Sequence, residues 1–196
     1  QAGVNPVFAG ISPGSGILKV NGFDYLVIDG SPAGESSKNL TLYNASETNG
    51  AYTLGFFNKD RIKPATNNTI KNCIIRGKAS LTAANFGVLF SSDGGSYENI
   101  TLSGDSVYGA ATAIQLAGNY NGINRNNRIM NNVIGSPTES KYITNKGIVV
   151  QYSHNTLISG NNIMGPAVGN NLPLQQGISL QSGSSATRIH GNIIHD

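Results

Sequence analysis

Few side chains in this 196-residue sequence could carry acid–base or metal chemistry. It has ten carboxylates, and the nearest approach to a group is Asp93, Glu98 and Asp105. With Arg76 or Arg128 such a set could be part of a cation or acid–base site, but calcium wants six to eight oxygens, several of them carboxylate. Asp93-Gly-Gly-Ser96 reads as a turn and Asp105 falls within an Asn-rich repeat, so the support is weak. A glycoside hydrolase needs two carboxyls at a set separation, and no such pair is apparent. Arg61-Ile-Lys63 is a basic segment that precedes the regular repeats. His190, His195 and Asp196 lie close in sequence, with His154 upstream, but their spacing fits no standard metal site. Cys73 has no cysteine partner and reads as a small packed side chain. No Ser-His-Asp signature or phosphate loop appears. No metal site and no cofactor is expected.

The elements that must position these residues are short and repeated. Lys146-Gly-Ile-Val-Val-Gln151 returns 30 residues later as Gln176-Gly-Ile-Ser-Leu-Gln181. Asn131-Asn-Val-Ile-Gly135 returns as Asn161-Asn-Ile-Met-Gly165 and then as Gly191-Asn-Ile-Ile-His195. Aligning Ile74, Val107, Val133, Ile163 and Ile193, and separately Val88, Ile114, Ile148 and Ile178, gives a period near 30. A fixed period of β-branched runs with Asn and Gly punctuation marks a solenoid. With 25 Gly, 25 Asn and only 12% charged residues, the composition favours strands and tight turns over helices.

The fold expected is therefore an all-β, single-stranded, right-handed parallel β-helix of roughly five to six rungs, since right-handed crossovers dominate. Residues 1–16 are expected to be an irregular lead-in and 17–196 the helix. Ile148 with Val150 and Ile178 with Leu180 should stack inside, leaving Val149 and Ser179 outside. Asn72, Asp105, Asn131 and Asn161 are expected in one column, and Asn132, Asn162 and Asn192 in the next, as a structural ladder at a bend.

Three segments carry a family resemblance: Tyr25-Leu-Val-Ile-Asp-Gly-Ser31, Ser37-Lys-Asn-Leu-Thr-Leu-Tyr-Asn44 and Thr66-Asn-Asn-Thr-Ile-Lys-Asn-Cys-Ile-Ile-Arg-Gly77. They resemble the pectin-lyase-like β-helices, in the variety found in long secreted proteins of Bacteroidetes. The resemblance covers roughly residues 17–196 and implies export, often by type IX secretion, to the cell surface or the medium. It does not choose a function, because the fold hosts lyases, hydrolases, adhesins and spacers.

The scarcity of acid–base candidates favours a non-enzymatic spacer or adhesin scaffold. The rungs run to Asp196 without an atypical capping repeat, so further rungs of a parent chain, or neighbouring subunits, are expected partners. The alternative is a polysaccharide-active enzyme or a carbohydrate-binding module. Outward Tyr108, Tyr120, Tyr142 and Tyr152 are candidate contacts for a polysaccharide or cell-surface glycan. A net charge of +3 excludes a dedicated nucleic-acid surface, and no apolar run is long enough to span a membrane. The outward positions vary too much for an ice-binding Thr ladder.

Overall fold

The computed structural model describes residues 4–32, 37–60, 63–78, 80, 82–136, 141–165 and 176–195. Arg61 and Asp196 lie outside them. The described chain is all β and winds as a right-handed parallel solenoid of about five turns, with about 32 residues per turn. No helix among the described residues is long and apolar enough to cross a membrane.

Three parallel sheets form the walls. Sheet 1 has seven strands, from Val7–Gly10 through Leu40–Asn44 and Cys73–Arg76 to Ile193–His195. Sheet 2 has six, from Gly16–Asn21 to Gln176–Leu180, and includes the longest, Ile143–Gln151. Sheet 3 has six three-residue strands, from Val27–Asp29 to Arg188–His190. The chain visits sheets 1, 2 and 3 in turn, so every strand pairs with its equivalent on the next turn.

Alternation of side chains explains the core. Leu54, Val88, Ile114 and Ile148 form one inward column of sheet 2, and Phe56, Phe90, Leu116 and Val150 form the next. Ile70, Leu102, Ile129 and Ile158 line sheet 3. Ile75, Val107, Ile134 and Ile163 line sheet 1, and all these residues are buried. Each such aliphatic side chain contributes about 1.5–3 kcal/mol by leaving water. The columns open at the ends, where Phe8 and Ile194 are more than half exposed.

Several expectations need correction. Residues 1–16 contain a regular strand, Val7–Gly10, paired residue by residue with Leu40–Asn44. The sheet 1 column runs through Ile75, Ile134 and Ile194, so Ile74, Val133 and Ile193 belong to a neighbouring outward column. The bend expected within each Asn-rich repeat is present: Asn72 and Asn131 adopt φ of 56° and turn the chain from sheet 3 into sheet 1. Val149 is buried although it points away from the core. Ile178 is only half-buried and Leu180 is exposed, because their sheet ends there.

Candidate functional site

The sheet 3 to sheet 1 corner uses two residues per turn. The first is left-handed: Asn72, Gly104, Asn131, Gly160 and Gly191 in succession. Asn and Gly are the residues that hold this conformation at least cost. The second is an acceptor from the Gly104 turn onward, buried at Asp105, Asn132 and Asn161 and half-buried at Asn192, while Cys73 holds this place beside Asn72. Asp105 Oδ1 accepts from the Cys73 N–H, Asn132 Oδ1 from Asp105, Asn161 Oδ1 from Asn132, and Asn192 Oδ1 from Asn161, all at 2.8–3.0 Å. The two expected columns are thus out of register. Asp105, Asn132, Asn161 and Asn192 form the ladder, Asn72 and Asn131 make the bend, and Asn162 lies on the outer face, within 2.8 Å of His195 Nε2. The slip arises because Gly and Asn are interchangeable at the left-handed position, so matching Asn to Asn shifts the alignment by one.

A second set of amides holds the sheet 2 to sheet 3 corner. Asn68 Oδ1 accepts from Leu26, and Asn127 Oδ1 from Ile100. Beside them the left-handed Asn67, Asn99, Asn126 and Asn155 form a more exposed row, with Asn99 donating to Asn67 and Asn155 to Asn126. The doublets Asn67-Asn68 and Asn126-Asn127 are the sequence signal for this corner that sequence reasoning missed.

The candidate carboxylates serve separate local roles. Asp93 accepts from the Asn58 and Gly95 N–H groups and from the Tyr97 hydroxyl, which burial and Asp93 itself push well above the usual phenol range. Glu98 faces Arg125 at 3.7 Å. Asp105 is inside the ladder. Arg128 lies on sheet 3, in register with Thr101 and Leu157. Among the described residues, no three His, Cys, Asp or Glu side chains converge.

The outer face of sheet 1 does bring groups together. Tyr43, Arg76 and Tyr108 are register partners on three consecutive turns. The Arg76 guanidinium lies 4.4 Å from the Tyr43 ring centroid, and Lys141 Nζ lies 5.6 Å from that of Tyr108. Both are cation–π distances. Lys38 Nζ donates to Ser106 Oγ at 2.8 Å, two residues before Tyr108. With strands about 4.8 Å apart, the three residues span about 10 Å along the axis. Of the other candidate tyrosines, Tyr142 follows Lys141, whereas Tyr120 sits in the tight turn closed by Asn119 and Gly122. Tyr152 sits at the sheet 2 to sheet 3 corner with φ of 46°. Sequence reasoning singled out Tyr108 and Arg76 but missed Tyr43, Lys38 and Lys141, because only the correct register joins them.

No family model matches the chain, and no curated protein does. Two solved structures share its fold. The A-module of the Azotobacter vinelandii mannuronan C-5 epimerase AlgE4 matches over 95% of this chain and 52% of its own, at 15% identity and a TM-score of 0.58. PfbA, a surface adhesin of Streptococcus pneumoniae, matches over 92% of this chain and 51% of its own, at 13% identity and a TM-score of 0.53. The chain spans about half the length of each. Both are parallel β-helices, and the likeness identifies the fold as pectate-lyase-like.

Proposed function

We propose that the chain is a non-enzymatic segment of a secreted or surface-displayed β-helix protein, acting as an adhesin scaffold that contacts glycans. The outward row Tyr43, Arg76 and Tyr108 carries this reading, with Lys141 above it. Aromatic faces stack on the apolar faces of sugar rings, and guanidinium N–H groups donate to hydroxyl or carboxylate oxygens. The dispersal of Asp93, Glu98 and Asp105 among separate partners supports contact without cleavage. Surface display rests on the family resemblance of the three early segments.

The test is a glycan-array screen of the purified chain, with reducing-end release assayed on the same polysaccharides. Binding without release is expected, and Arg76→Ala with Tyr108→Ala should weaken it about tenfold or more while leaving the fold intact. Release at enzyme-like rates would sink the reading, as would binding indifferent to both substitutions.

A further inference from the structure

The buried ladder repeats one bonding unit, and Asp105 cannot complete it as a carboxylate. At Asn161, Oδ1 accepts from Asn132, while Nδ2 donates to the Ile129 carbonyl at 2.9 Å and to Asn192 Oδ1 at 2.8 Å. Asn132 repeats this, its Nδ2 donating to the Leu102 carbonyl at 3.1 Å and to Asn161 Oδ1 at 3.0 Å. Ile70, Leu102 and Ile129 are register partners. The same unit at Asp105 therefore aims Oδ2 at the Ile70 carbonyl and Asn132 Oδ1, both acceptors. Oδ2 is buried and has no hydrogen-bond partner, whereas Oδ1 holds the Cys73 N–H. Two facing acceptors need a hydrogen between them, and a carboxylate has none to give.

We propose that Asp105 stands in the folded chain as a neutral carboxylic acid at neutral pH, its hydroxyl taking the place of the ladder amide. It thereby couples the stability of the solenoid to pH. Burial pushes this carboxyl up to about 8. The Cys73 N–H, the Lys38 ammonium and the Ser103 backbone favour its ionised form but are outweighed by burial, and Asp29 favours the neutral one. Lys38, at the entry to Leu40–Asn44, is itself lowered by burial and gives a hydrogen bond to Ser106. The Cys73 thiol is pushed up to about 12, chiefly by burial and then by Asp105, and stays neutral.

The unfolded carboxyl releases its proton near 3.8 and the folded one near 8. Between these values the folded state binds the extra proton, so stability falls as pH rises from about 4 to about 8 and is level in this respect above that. Replacing Asp105 by Asn supplies the missing donor and removes that slope.

The experiment is a side-chain carboxyl NMR titration of the intact chain from about pH 3 to about pH 10. Urea unfolding of the wild type and Asp105→Asn at about pH 5 and about pH 8.5 accompanies it, the histidines cancelling in the comparison. One carboxyl should titrate near 8 and be missing from the variant. The variant's advantage in folding constant should grow by about tenfold or more between the two pH values. An Asp105 resonance titrating near 4 would overturn the proposal, as would an advantage equal at both pH values. If the variant does not fold, the titration of the wild-type chain decides.

Discussion

The buried corner between sheets 3 and 1 and the outer row of sheet 1 are built on adjoining residues, yet they obey different rules. At the corner the turns from Gly104 onward repeat a left-handed residue and an acceptor, and the amides Asn132 and Asn161 are bonded to the turns beside them. On the outer row the sequence changes at each step, from Tyr43 to Arg76 to Tyr108, and solvent reaches all three. Interior repetition sets the stability of the coil because an unpaired buried group loses its hydration without replacement. Outward variation is nearly free in stability, so a binding surface can be written there.

The sharpest way to break this contrast is Asn161→Leu. It strips the Asn132 N–H of its acceptor and the Ile129 carbonyl of its donor, and should cost about 3 kcal/mol or more in urea unfolding. A loss below about 1 kcal/mol would show that the ladder is ornamental. Gly30→Ala should come next, at about 2 kcal/mol, because the added methyl meets the Asn72 carbonyl where the first two turns touch. Asn131→Gly should change stability by less than about 1 kcal/mol, since Gly104 and Gly160 fill the same left-handed position on adjacent turns.

Acid gives a smaller effect at the open first turn. Asn72, Ser31 and Lys71 hold the Asp29 carboxyl well below the usual range. Its contribution is present above about pH 4 and is lost as pH falls toward the folded value. This half-exposed group should account for about 1 kcal/mol or less, removed by Asp29→Asn and read as a flatter acid limb. The outer row comes last on this scale. Tyr108→Ala should shift unfolding by about 0.5 kcal/mol while glycan binding falls, which separates the two regions by the property each controls.

Much of the coil was legible in the residue pattern. The period near 30 was visible in Val88, Ile114, Ile148 and Ile178, whose register the structure reproduces pair by pair. The repeats around Asn72 and Asn131 were legible as a bend but not to the residue. Asn serves there both as a left-handed residue and as a buried amide, and Gly replaces only the first of these. The second amide corner went unread, although Asn67-Asn68 and Asn126-Asn127 are the same kind of doublet.

What the sequence determined by itself was a parallel coil of short strands. Alternating β-branched residues with left-handed Asn and Gly at a fixed spacing leave the backbone little else to form. What only the tertiary structure decided was which residues meet across turns, because a slip of one residue moves a side chain to the opposite face. That register is why Asp105 lies buried among amides rather than beside Asp93 and Glu98, and why Tyr43, Arg76 and Tyr108 share one outward row.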